Sequence, residues 1–350
     1  MQKDLAGSTG FIRNAWYVAA RSEDIGQRLT AAKILGDAIV MFRGAQDEPI
    51  ALEDSCPHRK LPLSRGTIDG STVVCGYHGL TFDCSGSCVA APTQPNAVPN
   101  RASVRSYPVQ DRWGFLWIWM GDAELADPGD IIDIANFDNP SWGKTPKGAM
   151  QMACHYLYIT DNLLDPSHVA WVHLSSFAGA GTDDRPLVIE DIDDGIIVSR
   201  WILDEPAPPY YKDMLPFGET CDRKQHYEMR LPATALNISV YTPTGEGGAD
   251  RSVSPKAFVN ISYNFITPVD DQTSLYFWFQ HRNMHAKDTE LSQRMFDGAV
   301  MAFTEDKEIL ERVQIGMDTR VTPYLNLGLD AGAMRFRAKV DRMIDAETTD

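Results

Sequence analysis

Short apolar runs broken by Gly, Pro and Asp dominate residues 14–120: Trp16-Tyr17-Val18, Ala38-Ile39-Val40-Met41-Phe42, Thr72-Val73-Val74, Leu80-Thr81-Phe82 and Gly114-Phe115-Leu116-Trp117-Ile118-Trp119. Brief runs of β-branched and aromatic residues between turn formers predict strands, so this stretch reads as a small all-β domain. The acidic, turn-rich stretch after Trp119, Met-Gly-Asp-Ala-Glu-Leu-Ala-Asp-Pro-Gly-Asp, predicts a domain boundary within 121–130. Beyond it the pattern predicts a helix over 158–174, strands over 186–203, 226–242, 256–267 and 273–281, and a long helix over 289–315. In that last helix Phe296, Ala299, Phe303, Asp306, Leu310 and Val313 recur at steps of three and four, an apolar stripe with one carboxylate in it. The expectation is an α+β chain: an all-β domain at 10–122, then a domain at 123–350 built on an antiparallel sheet with helices on one face.

Composition supports two cores, since 350 residues at 43% hydrophobic content suffice for two domains of roughly 150 residues each. No apolar stretch approaches the roughly 20 residues that span a bilayer, and no apolar segment follows the charges at the start, so a soluble cytoplasmic protein without membrane partners is expected. The net charge of −16 argues against nucleic acid, whose binding needs clustered Lys and Arg. Arg59, Lys60, Arg65, Arg101 and Arg105 form a local exception. They read equally as a landing site for an acidic redox partner or as scattered solvated charges. Six cysteines, at 56, 75, 84, 88, 154 and 221, are too sparse for a disulfide framework and leave thiols for metal.

Ser-Cys-Pro-His-Arg-Lys at 55–60 and Val-Cys-Gly-Tyr-His-Gly-Leu at 74–80 give C-x-H, sixteen intervening residues, then C-x-x-H. By spacing alone, Cys56, His58, Cys75 and His78 suit one zinc ion or a [2Fe-2S] cluster with two His in place of two Cys. Each loop supplies one Cys and one His, which favours iron-sulfur. Cys84 and Cys88 read as an ordinary turn with two thiols.

The second constellation is Asp-Asn-Leu-Leu-Asp-Pro-Ser-His-Val-Ala-Trp-Val-His at 161–173. Asp165 and His168 would share a helical face, whereas His168 and His173 stand about 140° apart on an ideal helix. The helix must therefore kink or end between them, and Pro166 makes the local geometry irregular. A carboxylate on an apolar stripe is costly unless it is paired or binds metal, so Asp306 completes a two-His, one-carboxylate set suited to Fe(II). A structural salt bridge at Asp306 is the alternative. Glu305 and Glu308 lie off the stripe and are expected in solvent. In Leu236-Asn237-Ile238-Ser239-Val240, alternation puts Asn237 and Ser239 on one face, and Asn264 is a similar polar intrusion.

Through Cys56-Pro57-His58-Arg59 and Cys75-Gly76-Tyr77-His78-Gly79 the chain resembles the Rieske proteins. With Arg13-Asn14-Ala15-Trp16-Tyr17-Val18, the 162–173 run and Thr304-Glu305-Asp306, nearly all of it resembles the oxygenase subunits of the vanillate O-demethylase type. That resemblance implies a Rieske β-domain followed by a helix-grip catalytic domain, assembled as a homotrimer. It implies Cys56 and Cys75 on the inner iron of a [2Fe-2S] cluster, His58 and His78 on the outer iron, and mononuclear Fe(II) on His168, His173 and Asp306. It assigns catalytic roles to Asn162 and Asp165, with Asp165 hydrogen-bonded to the outer nitrogen of His168 and meeting His78 of a neighbouring subunit. Asn237 and Asn264 would hold a carboxylate or hydroxyl of a small aromatic substrate, with a solvent-facing role as the other reading. The implied activity uses O2 and electrons from a separate ferredoxin or flavin/ferredoxin reductase to O-demethylate a methoxybenzoate-like ring. N-demethylation, ring dioxygenation and aryl-sulfonate oxygenation are its rivals. A bare Rieske electron carrier would need no second domain, and a zinc-stabilised binding protein would be colourless. Pro166 directly after Asp165 departs from the family pattern.

Overall fold

A computed structural model describes residues 10–94, 102–174, 177–178, 185–319 and 321–348; Arg101 of the basic segment lies outside them. The chain forms two units, one of Phe11–Ile134 with Thr267–Asp270, the other of Ala135–Ile266 with Asp271–Asp350.

The first unit is all β: β1 (Trp16–Arg21), β2 (Thr30–Ile34), β3 (Asp37–Arg43), β4 (Pro49–Glu53), β5 (Thr67–Asp69), β6 (Thr72–Val74), β7 (Thr81–Phe82), β8 (Cys88–Ala90), β9 (Val109–Arg112) and β10 (Phe115–Trp119). They pair in three sheets, β1-β10-β9, β2-β3-β4 and β5-β6-β7-β8. Val40, Phe42, Leu52, Leu63, Val73 and Phe82 form a core that also contains Cys56 and Cys75. Burial of each such side chain contributes about 1.5–3 kcal/mol. The expected boundary is displaced: residues 123–134 stay with this unit. The indole of Trp16 donates to the carbonyl of Asp127 at 2.8 Å and that of Trp113 to the carbonyl of Ile132 at 3.0 Å, while Ile131 and Ile134 are buried. The polar composition of the stretch marks its turns, and the two tryptophans upstream anchor it.

The second unit contains β11 (Gly143–Lys144), β12 (Gly148–Met152), α1 (Tyr156–Leu164), α2 (Val169–Val172), β13 (Val188–Ile192), β14 (Gly195–Pro206), β15 (Thr220–Arg230), β16 (Thr234–Pro243), β17 (Phe258–Asp270), β18 (Thr273–Arg282), α3 (Thr289–Thr319) and α4 (Ala331–Glu347). Its sheet runs β11-β18-β17-β16-β15-β14-β13, with β12 also on β18. Two expected long strands are hairpins. The 186–203 run turns at Asp193-Asp194 between β13 and β14. The 226–242 run turns between β15 and β16 at Leu231-Pro232-Ala233, where Pro232 has no N–H for a ladder. The sequence reading has no counterpart to α4, which buries Ala333, Phe336 and Val340 and pairs Arg337 with Asp161 of α1 at 3.0 Å. No helix among the described residues is long and apolar enough to cross a membrane.

Candidate metal centres and substrate cavity

The two Cys/His loops of the first unit are built alike. The N–H of Cys56 donates to the carbonyl of Leu61 at 2.9 Å and that of Lys60 to the carbonyl of Cys56 at 2.8 Å; the N–H of Cys75 donates to the carbonyl of Leu80 at 2.8 Å and that of Gly79 to the carbonyl of Cys75 at 3.0 Å. Lys60 and Gly79, at matching positions, both take positive φ, 59° and 74°, which closes each loop tightly. Cys56 and Cys75 are each 2% exposed, while His58 is exposed, His78 half-buried, and their ring centroids lie 4.5 Å apart. Two thiols on the core side and two imidazoles on the solvent side suit a [2Fe-2S] cluster with chemically distinct irons. Cys84 is exposed, Cys88 partly so, and neither belongs to the two loops. Arg59, Lys60 and Arg65 are exposed around them, but Arg105 is committed elsewhere, donating to the carbonyls of Met120 and Gly121 at 2.7 and 2.5 Å.

In the second unit the expected 158–174 helix is broken at Pro166. A proline disfavours helical conformation in the residue before it, and Asp165 is extended at φ −105°, ψ 97°. The shared helical face expected for Asp165 and His168 is therefore absent. The chain restarts as α2, with His168 just before it and His173 just after it. The two rings sit with centroids 5.2 Å apart, and their Nε2 atoms lie 3.7 Å and 3.3 Å from Oδ1 of buried Asp306 on α3. The three ligating atoms fall within 4.8 Å of one another. Among the described residues Asp306 pairs with no Lys or Arg; its further partner is Asn162, whose Nδ2 donates to Oδ1 at 3.2 Å. A salt bridge from Asp306 to Lys or Arg is thus absent among the described residues, and its near neighbours are the two imidazoles.

Both outer ring nitrogens are occupied. Nδ1 of His168 meets the backbone carbonyl of Asp165, not the carboxylate that was expected there. That carboxylate instead accepts from the N–H of Ser167 at 2.7 Å, because the chain reverses at Pro166. Nδ1 of His173 meets Oε2 of Glu305 at 2.8 Å, so Glu305, expected in solvent, is tied to the site with its side chain 32% exposed. Glu308 is solvated as expected. Partners of this kind fix the tautomer that turns Nε2 toward a metal. Burial lowers the pKa of His168. Burial acts the same way on His173, but the hydrogen bonds and charges of Asp306 and Glu305 outweigh it and the pKa is raised. Two imidazoles and one carboxylate, with their backs held, fit Fe(II).

Beside this cluster is a cavity of about 110 Å³ between the sheet, α1, α2 and α3. Register across three strands builds its polar wall: Gln225, Ser239 and Asn260 form one row, Tyr227, Asn237 and Ser262 the next. Asn237 donates to the carbonyl of Leu163 at 3.2 Å and accepts from Nδ2 of Asn264 at 3.0 Å. Asn264 is fully buried and its Oδ1 accepts from Tyr276 at 2.8 Å. Both amides therefore line the cavity, Asn264 fully buried and Asn237 half-buried, with Asn264 holding Asn237 in place. Phe177, Tyr211, Tyr227, Tyr241 and Phe303 add aromatic faces to this otherwise polar and aliphatic lining. Alternation along one strand reveals Asn237 and Ser239; the rows need the register between strands. A second cavity, about 180 Å³, adjoins Asn162 and His168 and is lined in part by Asp161, Asp165 and Asp330.

The C-terminal domain model of vanillate O-demethylase oxygenase matches residues 152–346, and the Rieske [2Fe-2S] domain model matches 15–108. The chain is 35% identical over 343 residues to a vanillate O-demethylase oxygenase subunit of Pseudomonas sp. (strain HR199 / DSM 7063), covering 96% of each. It is 35% identical over 345 residues to the iron-sulfur subunit of a toluene-4-sulfonate monooxygenase system of Comamonas testosteroni, covering 96% of this chain and 98% of that one. The crystal structure of dicamba monooxygenase bound to 3,6-dichlorosalicylic acid superposes with a TM-score of 0.89 at 28% identity, covering 98% of this chain and 100% of that one.

Proposed function

We propose, for a chain that belongs to the Rieske non-haem iron oxygenases of the vanillate O-demethylase type, that its reaction is the O-demethylation of a small methoxy-substituted aromatic. Membership makes it the oxygenase component of a multicomponent enzyme that carries a [2Fe-2S] cluster and a mononuclear iron and depends on a separate electron-transfer partner, here read as a ferredoxin or flavin/ferredoxin reductase. We assign the cluster to Cys56, His58, Cys75 and His78, and the iron to His168, His173 and Asp306. The observation that carries the reading is the convergence of those three donors beside a cavity lined by Phe177, Tyr211, Tyr227, Tyr241 and Phe303 together with amide and hydroxyl side chains.

When bound, the cluster supplies electrons singly and the iron activates O2. The residues of this chain position everything else. Asn162 steadies Asp306, Glu305 and the Asp165 carbonyl aim the two imidazoles, and the aromatic wall holds the ring so that its methoxy carbon faces the donors while water is kept out. Overall, Ar–O–CH3, O2, two electrons and two protons give Ar–O–CH2OH and water, and the hemiacetal collapses to a phenol and formaldehyde. Oxygenation of an aryl sulfonate is the second reading, favoured by the equal identity to the toluene-4-sulfonate relative.

We further infer a cytoplasmic homotrimer in which His78 of one subunit reaches Asp165 of the next. The support is an exposed Cys/His loop pair and an Asp165 carboxylate with one oxygen on Ser167 and the other without a hydrogen bond among the described residues, lining the second cavity together with His168. The deciding experiment supplies the iron-loaded protein with a surrogate reductase and screens methoxybenzoates, methoxyphenols, N-methyl heterocycles and aryl sulfonates. Formaldehyde in step with O2 uptake from a methoxyarene is expected. A cis-dihydrodiol, or sulfite from a sulfonate, would replace this reading with a rival.

A further inference from the structure

Among the described residues, hydrogen bonds within the cavity wall leave one fully buried amide oxygen over. Asn260, on β17, is 1% exposed and lines the cavity. Its Nδ2 donates to the hydroxyl of Tyr211 at 3.2 Å, which in turn donates to Oγ of Ser239 at 3.3 Å. Its Oδ1 has no hydrogen-bond partner among the described residues. The neighbouring amides are accounted for: Oδ1 of Asn237 accepts from Asn264, Oδ1 of Asn264 from Tyr276 and Ser262, Oε1 of Gln225 from Arg200 and Oε1 of Gln280 from Tyr210.

A buried acceptor without a donor is destabilising, and nearly all such groups in folded proteins are satisfied by protein, water or ligand. The same row of the wall contains Ser239 and Gln225, so the free oxygen sits among neutral polar groups. Among the described residues no Lys or Arg side chain lines the cavity. A carboxylate or sulfonate placed against Asn260 would meet lone pairs with no Lys or Arg to offset them. A hydroxyl or N–H placed there would complete the chain Asn260, Tyr211, Ser239.

We propose that Asn260 is a specificity-determining residue: its Oδ1 accepts a hydrogen bond from the substrate, and the enzyme selects single-ring aromatics that carry an un-ionised donor, a phenolic hydroxyl or an N–H. This rests on the oxygenase reading of the same cavity and narrows its substrate class away from aromatic acids that lack such a donor.

The test uses the full iron-loaded protein under anaerobic conditions, with binding of a methoxyphenol, the corresponding dimethoxybenzene and a methoxybenzoate measured by calorimetry. Loss of one donor to a buried acceptor predicts that the methoxyphenol binds about 10- to 100-fold more tightly than the dimethoxybenzene. In Asn260→Leu the two should bind alike, and in Asn260→Asp, which keeps an acceptor, the preference should survive. Iron content and cluster absorption report whether each variant is intact; Asn260→Ala replaces the leucine variant if that one fails to fold. Equal binding by the native protein, a preference for the methoxybenzoate, or a preference that persists in Asn260→Leu would overturn the assignment. If the preference holds while no ligand yields formaldehyde, demethylation is refuted and the role of Asn260 stands.

Discussion

Asp306 and Glu305 are neighbours on α3, and the apolar stripe predicts one inward and one in water. Only the first half describes the molecule. Asp306 was legible because a carboxylate amid apolar residues demands a partner. Glu305 was not, because its partner, His173, comes from a distant segment and nothing in the periodicity of α3 announces it. Asp306→Ala should therefore leave a coloured protein without mononuclear iron or turnover, read as iron content beside an unchanged cluster spectrum. Glu305→Ala should lower Fe(II) affinity of the apo site about 10- to 100-fold. Glu305→Gln, which keeps a hydrogen-bonding oxygen, should lower it less, and equal affinity in all three proteins would remove Glu305 from the site. In the first unit Cys75→Ser should bleach the visible absorption and Cys84→Ser and Cys88→Ser should not, since only Cys75 lies in the paired loops.

Elements were legible where local pattern and tertiary structure agree, as for β3, β10 and α3. The hairpins β13–β14 and β15–β16 read as single strands because apolar runs flank both sides of each turn, although Asp193-Asp194-Gly195 and Pro232 are turn signals present in the sequence. The helix at 158–174 failed at Pro166, a signal present in the sequence whose outcome, a second short helix reaiming both histidines, depends on packing. A related element-scale consequence concerns β18. His281 is fully buried, neither ring nitrogen has a hydrogen-bond partner among the described residues, and Trp142 packs on it with ring centroids 4.8 Å apart. Burial first, then Lys144 and Arg282, lowers its pKa from 6.5 to about 4. The unfolded chain thus binds the extra proton between those values, so this contribution is complete above pH 6.5 and disappears as the pH falls toward 4. His281→Leu should flatten that part of the acid limb, seen as a smaller drop in urea midpoint from pH 7 to pH 5 than in the native protein. An equal drop in both would exclude His281 as the titrating group.

At the scale of the whole molecule, the Cys/His loops and the His168/His173 pair are local motifs, whereas Asp306 joins the latter from α3 and was found through the apolar stripe of that helix, and the boundary near residue 134 depends on tryptophan contacts that composition does not reveal. The inferred trimer makes electron transfer pass between chains. Co-assembly of His78→Ala, lacking a working cluster, with His168→Ala, lacking the catalytic iron, should restore turnover that neither has alone; mixed trimers that form and stay inactive would exclude transfer between chains. The central claim, that electrons stored at the cluster drive O2-dependent oxidation at His168, His173 and Asp306, is tested most directly by a single turnover without reductase. The holoprotein is reduced chemically, freed of reductant, mixed with a methoxyarene that it binds, and exposed to O2. Reoxidation of the cluster together with formaldehyde in proportion to intact iron sites, and no formaldehyde from Asp306→Ala, is the expected result. Formaldehyde from Asp306→Ala at the native yield, or cluster reoxidation in the native protein without any product, would contradict the account.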